Sequence, residues 1–212
     1  MRIIALVNEK GGTGKSTLSQ NIAVCLHRQG KRVVLVDADP QGTTRDWRSA
    51  SPENANLPNV IALDRPEMLA SLKSIDADIA IIDTPAKAEK MTASVIRVAD
   101  AALIVIQPSG ADIWASAAAV RLVQQKIELG GKIIAAFLAN RVSGSTNLSR
   151  EVLAGEWNEY GIGQLETTIG NRVAFAQALT DGVSIYETTD RTGRAEIDLL
   201  VDELEKKHVF EK

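Results

Sequence analysis

The chain has 212 residues, of which 45% are hydrophobic and 24% are charged, and its formal net charge is −3. These values are ordinary for a globular chain of one large domain or two small ones. The single cysteine, Cys25, excludes a disulfide framework and a cysteine-built zinc or iron–sulfur site within one chain. Two histidines are too few for a histidine-built metal centre. Because the net charge is negative, the chain would need a local basic patch, or one built by a dimer, to bind nucleic acid.

Polar residues interrupt the apolar runs before they reach the length of a targeting or membrane segment. The run from Ile3 to Val7 ends at Asn8, too early for a secretory signal peptide. No run reaches the roughly 18 apolar residues of a membrane-spanning helix. We therefore predict a cytoplasmic protein in a reducing compartment, without a membrane partner.

Short apolar runs rich in isoleucine and valine predict strands that are buried on both faces, as in a parallel sheet. In chain order these predicted strands are residues 3–8, 32–37, 79–83, 101–107 and 133–140, with weaker patterns at 60–63 and 162–168.

Apolar residues at helical spacing predict three helices. The stripes are Leu18, Ile22, Cys25 and Leu26; Ile113, Ala117, Val120, Val123 and Ile127; and Ile197, Leu200, Val201 and Leu204. The alternation of strands and helices predicts a doubly wound α/β fold, with a mainly parallel sheet and helices on both faces. No linker or repeat interrupts this alternation, so we predict a single domain over residues 1–212.

A glycine-rich segment joins the first predicted strand to the first helix. It reads Lys10, Gly11, Gly12, Thr13, Gly14, Lys15, Ser16 and Thr17. Glycines let backbone N–H groups curl around phosphate oxygens, and the N-terminus of the following helix points at the same anion. The pattern predicts that Lys15 reaches the β- and γ-phosphates, that Ser16 binds Mg²⁺ and that Thr17 contacts the α-phosphate.

This loop departs from the standard phosphate-binding pattern at its start, where Glu9 replaces a glycine and an additional lysine, Lys10, follows. The segment resembles the deviant Walker A motif of the ParA/MinD family of P-loop ATPases. The resemblance implies that Lys10 reaches across a nucleotide-sandwiched homodimer to the partner's phosphates. It makes Lys10 and Lys15 predicted catalytic residues, and ATP or ADP with Mg²⁺ the predicted ligands.

Two further segments extend the resemblance. Residues 33–42 resemble the family's second motif with switch I, and residues 79–85 resemble its Walker B strand and switch II. Asp37 suits a Mg²⁺ shell through water, because Mg²⁺ usually keeps several waters. Asp39, two residues on, is predicted to position or deprotonate the attacking water, with a turn or helix cap as the alternative. Asp83 is the last residue of an apolar predicted strand, where an unpaired carboxylate is costly. We therefore predict that Asp83 acts with Mg²⁺, with a capping role as the alternative.

The residues expected near the adenine base show less specific sequence patterns than those of the phosphate loop. The pair Asn140 and Arg141 resembles the family's adenine-side pair, with strand-end capping as the alternative, and residues 170–174 also approach the base in this interpretation. Pro85 is followed by residues 86–90, which differ from the second proline and small residues that family members often carry there.

Other features separate the branches of the family. Cys25 alone cannot hold the cluster of a nitrogenase iron protein, and Tyr160 and Tyr186 do not make the tyrosine cluster of a bacterial tyrosine kinase. The phosphate loop begins at residue 10, without the preceding helix-turn-helix domain of larger plasmid ParA proteins. Acidic residues on the last predicted helix would be repelled by the anionic lipid that the MinD branch binds. The chain therefore most resembles small, ParF-like partition ATPases.

The resemblance implies an ATPase that segregates plasmids or chromosomes. Its ATP homodimer would bind DNA without sequence preference, on the nucleoid, and a small centromere-binding protein of the ParB or ParG kind would stimulate hydrolysis. The candidate DNA contacts are Arg150, Arg172, Arg191, Arg194, Lys206 and Lys207. Trp47, Trp114 and Trp157 are candidates for base stacking, with core or interface packing as the alternative.

Three alternatives remain open from the sequence. The first is a MinD-like positioning ATPase. The second is a metabolic ligase or synthetase on the same loop, such as a dethiobiotin synthetase relative, against which Lys10 and the aspartates of residues 37–40 argue. The third is a regulatory ATP-binding module with negligible turnover.

Overall fold

The computed structural model describes residues 1–143 and 161–211. Their strands are β1 (Arg2–Val7), β2 (Val33–Asp37), β3 (Asn59–Ala62), β4 (Ile79–Asp83), β5 (Ala101–Ile106), β6 (Ile134–Ala139) and β7 (Gly163–Gln164). All pair in parallel in one seven-stranded sheet, in the order β3-β2-β4-β1-β5-β6-β7. The strand order reverses beside β1, and in such sheets ligands bind beyond the carboxyl ends of the strands at that point.

Helices connect the strands. They are α1 (Lys15–Arg28), α2 (Thr43–Ala50), α3 (Glu89–Val98), α4 (Gly110–Glu128), α5 (Val173–Thr180) and α6 (Arg191–Lys206), with 3-10 turns at Pro66–Ser74 and Ile185–Glu187. Neighbouring residues of β1 point to opposite faces, so that Ile4 and Leu6 pack with α1 and α6, whereas Ala5 and Val7 pack with α3 and α4. Both faces of the sheet are therefore covered, which confirms the predicted doubly wound fold class.

The predicted strands are confirmed in type, with bounds that shift by a residue or two. Residues 79–83 coincide with β4, whereas only Gly163 and Gln164 of the predicted strand 162–168 pair with β6. The sequence interpretation missed α2, α3 and α5, which have only eight to ten residues each. In α2 only Thr44 and Trp47 are buried, so too few apolar positions recur to show a helical period.

The last helix directs its apolar stripe into the core. Ile197, Leu200, Val201 and Leu204 are fully buried and pack in the same cluster as the apolar face of α1. The carboxylate of Glu203 accepts hydrogen bonds from the backbone N–H groups of Glu166 and Thr167 at 2.9 and 2.8 Å. Among the described residues, no helix is long and apolar enough to cross a membrane.

Candidate nucleotide site

The glycine-rich loop leads directly from β1 into α1. Gly12 and Gly14 adopt left-handed backbone conformations, with φ of 78° and 95°. The helix begins at Lys15, and no side chain caps its N-terminus. The N–H groups of the first turn therefore stay available, and together with the helix dipole they make this end of α1 suited to an anion.

Three amide side chains, each at the carboxyl end of a strand, hold the loop in shape. Asn8, after β1, accepts from the Lys10 N–H at 3.0 Å and donates to the Val105 carbonyl at 2.7 Å. Gln107, after β5, donates to the Gly12 carbonyl at 2.8 Å, and Asn140, after β6, donates to the Thr13 carbonyl at 2.7 Å. These bonds fix the backbone from three sides, so the loop is preorganised.

The Asn140 amide also explains why residue 14 is a glycine. A Cβ atom at Gly14 would lie 2.1 Å from Asn140 Nδ2. Asn140 is buried, and its amide is committed to the loop. The structure thus shows a loop-holding contact for Asn140, and the predicted contact with the base stays a prediction.

Lys15 lies under the loop, with its side chain largely removed from solvent. Its Nζ donates to the Lys10 carbonyl at 3.3 Å. Burial lowers the pKa of Lys15 from its usual value, whereas the nearby carboxylates of Asp83 and Asp39 raise it. A desolvated cation at the helix N-terminus is the feature that the predicted phosphate contact requires.

Asp83, like Asp37, is a fully buried carboxylate of the site. Its Oδ2 accepts from Thr44 Oγ1 at 2.8 Å, and its Oδ1 has no hydrogen-bond partner within the described residues. Burial raises the pKa of Asp83 to about 7, and the Ser16 and Thr44 hydroxyls partly oppose that rise. An orphaned carboxylate oxygen beside the Ser16 hydroxyl is a hard oxygen donor set, which fits Mg²⁺.

Asp37 lies beside Asp83, because the two residues are partners in the β2–β4 register. Its Oδ1 accepts from the Asp39 N–H at 3.0 Å, and its Oδ2 accepts from the Arg45 N–H at 2.9 Å and lies 3.3 Å from Arg45 Nε. Arg45 also donates to the carbonyl of Asp39 at 2.9 Å. Asp37 therefore holds the turn after β2, the segment that resembles switch I, and a Mg²⁺ contact through water stays a prediction.

Asp39 stands at the start of the turn that follows β2. Its Oδ1 accepts from the Gln41 N–H at 2.9 Å, which is the turn-forming bond that the sequence left open as an alternative. The carboxylate is partly exposed, and its charge acts on Lys15. The structure thus shows the turn bond and brings Asp39 near Lys15, and the role on water stays a prediction.

A cleft of about 370 Å³ opens beside the end of the loop. Its lining includes Gly14, Thr17, Asn140 and Arg141, together with residues 170–173 and Phe175. Arg141 has a left-handed backbone, with φ of 55°, and is exposed. Arg141 and the segment predicted to approach the base therefore share one cleft next to the α1 N-terminus.

Lys10 lies at the outer side of the loop, with 39% of its side chain exposed. Its Nζ is 2.5 Å from Oδ2 of Asp112, in the first turn of α4. The two lysines thus differ in surroundings, because Lys15 is buried beneath the loop whereas Lys10 stands at its edge.

The candidate DNA contacts differ widely in their surroundings. Arg172 donates to both carboxylate oxygens of Glu196 at 2.9 and 2.6 Å and lies 3.6 Å from Asp190, so its guanidinium is held within the fold. Arg194 donates to the Thr188 carbonyl at 3.1 Å. Arg191, Lys206 and Lys207 are exposed, with Lys207 3.7 Å from Glu203. Arg150 and Trp157 lie outside the described residues.

The other two tryptophans have opposite surroundings. Trp47 is buried, and its indole N–H donates to the Val183 carbonyl at 2.8 Å, so base stacking is wrong for Trp47 and core packing is right. Trp114 is 75% exposed on the first turns of α4.

From the sequence, no site role was predicted for Asn8, Thr44, Arg45, Gln107, Ser109 or Asp112. Gln107 is the last residue of a predicted strand, so its place at the carboxyl edge was a usable signal. Ser109 and Asp112 have the spacing of a helix N-terminus, and the Ser109 side chain does accept from the Asp112 N–H. That signal predicts a helix start and says nothing of Lys10, which is 102 positions away. Thr44 and Arg45 had no comparable signal.

A family model described as the CobQ/CobB/MinD/ParA nucleotide binding domain matches residues 4–185. The carboxysome distribution protein A of Halothiobacillus neapolitanus is 29% identical over 208 residues, which cover 95% of each chain. Protein ParA of Rhizobium radiobacter is 23% identical over 197 residues, covering 91% of this chain and 89% of the relative.

The fold also matches a solved structure of a synthetase. The cobyrinic acid a,c-diamide synthase of Mycobacterium smegmatis, with a bound ATP analogue and magnesium, superposes with a TM-score of 0.77 at 20% identity, covering 98% of this chain and 95% of the other. Since partition, positioning and biosynthetic proteins share this fold, the fold alone does not distinguish them. The predicted family and the ligands predicted with it, ATP or ADP and Mg²⁺, are confirmed at the level of the family.

Proposed function

The chain belongs to the CobQ/CobB/MinD/ParA family of nucleotide-binding domains, and from that premise we propose that it is an ATP-hydrolysing enzyme that positions or partitions a cargo. Its ATP-bound form pairs with a second copy, and hydrolysis separates the pair. The position of Lys10 carries this proposal. Lys10 stands half-exposed at the outer edge of a phosphate loop whose own lysine, Lys15, is already buried beneath it. A second cation there is suited to phosphates outside its own loop.

In this proposal the residues of the site divide the work. Lys15, the loop from Gly11 to Gly14 and the α1 N-terminus bind the phosphates. Ser16, Asp83 and, through water, Asp37 hold Mg²⁺, which when bound neutralises phosphate charge. Asp39 orients the attacking water or accepts its proton. Thr17 contacts the α-phosphate, and Arg141 and Asn140, the latter besides its bond to the loop, contact the base. One domain over residues 1–212 performs all of this.

The proposed cargo is a plasmid or chromosome. The ATP dimer binds DNA without sequence preference and so associates with the nucleoid in the cytoplasm, and a small centromere-binding protein stimulates hydrolysis. Arg191 and Lys206 support the DNA contact, because both are exposed and neither forms an ion pair in the described part of the chain. Arg172 does not support it, since Glu196 holds its guanidinium.

A protein body is the second candidate cargo. The likeness to the carboxysome distribution protein, 29% over 208 residues, favours it. A strain that lacks the gene distinguishes the two: faster loss of the replicon supports partition, whereas clustering of a protein body with stable replicons supports positioning of that body. A small-substrate synthetase is disfavoured by Lys10 in the loop and by Asp37 and Asp39 at the carboxyl end of β2.

The dimerisation step is tested with Lys10→Ala. We expect the variant to bind ADP as the wild type does and to stay monomeric in light scattering with a non-hydrolysable ATP analogue. Lys31→Ala removes an exposed lysine next to Arg32, at the amino end of the sheet, and is expected to dimerise normally. A Lys10→Ala dimer of wild-type affinity would contradict the proposed pairing. An ATPase assay with and without DNA tests the turnover itself.

A further inference from the structure

The ammonium of Lys10 is already engaged within its own chain. Lys10 Nζ lies 2.5 Å from Oδ2 of Asp112, and the Ser109 hydroxyl donates to that same oxygen at 2.5 Å. The Asp112 side chain is 1% exposed, whereas that of Lys10 is 39% exposed. The other carboxylate oxygen, Oδ1, is buried and has no hydrogen-bond partner in the described part of the chain.

The burial of Asp112 makes this ion pair different from a surface pair. An exposed ion pair costs little to open, whereas a buried carboxylate that loses its cation is left uncompensated in a low-dielectric surrounding. If Lys10 moves away, Asp112 keeps only the Ser109 hydroxyl and the N-terminus of α4. The described residues contain no other cation within ion-pair distance of Asp112. Moving Lys10 away from Asp112 therefore costs free energy, because it leaves the buried Asp112 carboxylate without its cation.

We propose that Asp112 is a positioning residue that holds Lys10 in a cis ion pair, which must open before Lys10 can contact phosphates bound to a second copy of the chain. This inference rests on the proposed dimerisation. The contact competes with the trans contact, so the apparent affinity of the dimer is the intrinsic affinity multiplied by the fraction of molecules in which Lys10 is released. Asp112 thereby sets the nucleotide and protein concentrations at which the pair forms.

The test is Asp112→Asn, which removes the charge and keeps the shape of the side chain. With a non-hydrolysable ATP analogue in sedimentation velocity, we expect the dimer dissociation constant to fall by about tenfold, while the affinity for ADP stays unchanged. Asp46→Asn is the matched control, because Asp46 is an exposed aspartate in the first turn of α2. It is expected to dimerise as the wild type does.

A double variant separates a positioning role from a merely structural one. In a Lys10→Ala background, Asp112→Asn is expected to leave dimerisation unchanged, because no lysine remains to be released. A structural effect of Asp112 would persist without Lys10. If Asp112→Asn does not fold, as judged by circular dichroism, Asp112→Ser provides the same uncharged test with a smaller side chain.

The outcomes distinguish this inference from the function on which it rests. If folded Asp112→Asn dimerises no more tightly than the wild type while Lys10→Ala stays monomeric, the proposed role of the cis ion pair is overturned and the dimerisation proposal stands. If Lys10→Ala dimerises at wild-type affinity, the trans contact of Lys10 is overturned. The cis ion pair then has no contact to compete with, so its proposed role is overturned as well. Tighter dimerisation of Asp112→Asn that also appears in the double variant overturns the positioning role.

Discussion

At the residue scale, Lys15 shows how burial and function are linked. Burial lowers the pKa of Lys15, so the protein holds this cation at a cost that the proposed phosphate contact would relieve. We expect Lys15→Ala to lose affinity for ADP by about 10- to 150-fold, since a charge-assisted contact contributes about 1.5–3 kcal/mol. The free energy of unfolding without nucleotide should change by less than about 1 kcal/mol. Calorimetric titration with ADP and urea unfolding measure the two, and near-normal ADP affinity would refute the loop assignment.

Asp39 forms a turn bond and faces the site, and its substitution separates these roles. We expect Asp39→Ala to bind ATP normally and to hydrolyse it about 10²–10⁴-fold more slowly, the usual contribution of a general base. The dimer should then accumulate with ATP. Asp46→Ala, at an exposed aspartate on α2, the helix that follows the Asp39 turn, is the control in the phosphate-release assay. Turnover within a few-fold of wild type would leave Asp39 with its bond to Gln41 as its only role.

At the element scale, α2 is the segment that connects the turn after β2 to the rest of the fold. Trp47 anchors it through full burial and the bond from its indole N–H to the Val183 carbonyl. The packing there is close, because a Cβ at Gly182 would lie 2.4 Å from the Ala50 carbonyl carbon. Movement of α2 is therefore coupled to the segment before the 3-10 turn Ile185–Glu187.

Substitution of Trp47 measures how strongly α2 is anchored. We expect Trp47→Ala to lower the free energy of unfolding by about 3–5 kcal/mol, the range for large-to-small core substitutions of aromatic residues. Trp114→Ala removes the same side chain from a position that is 75% exposed, and it should stay within about 0.5 kcal/mol. Urea unfolding followed by circular dichroism gives both values. Equal losses would show that burial does not determine the difference.

The elements also show what the sequence can and cannot predict. Long apolar runs predict β1, β2, β4, β5 and β6, because a strand buried on both faces leaves a continuous apolar signature. Short helices such as α2 leave none, since only two of its eight residues are buried. The loop and the aspartates were predictable because their chemistry is local in sequence. The contact of Lys10 with Asp112 joins residues 102 positions apart, and only the β1–β5 pairing brings them together.

At the scale of the whole molecule, the negative net charge opposes the proposed binding of DNA. The chain has a formal net charge of −3, so a monomer is a weak ligand for a polyanion. A dimer doubles whatever basic surface faces the DNA, which makes binding depend on the nucleotide that forms the dimer. Arg191 and Lys206 are exposed cations on α6, whereas Arg172 is held by Glu196 and is a poor probe.

We expect DNA binding with ATP and not with ADP, measured by fluorescence anisotropy of labelled duplexes at several salt concentrations. The logarithm of the affinity should fall linearly with the logarithm of salt, at about 0.9 per phosphate neutralised, and should vary little between sequences. Arg191→Ala and Lys206→Ala should each reduce that slope by about one if they touch phosphates. Arg32→Ala is the control, because Arg32 pairs with Asp76 and Asp78 next to the amino end of β2, at the sheet edge opposite the nucleotide site. Equal affinity with both nucleotides, or a strong preference for one sequence, would contradict a nucleotide-gated contact with the DNA backbone and favour a cargo that is not DNA.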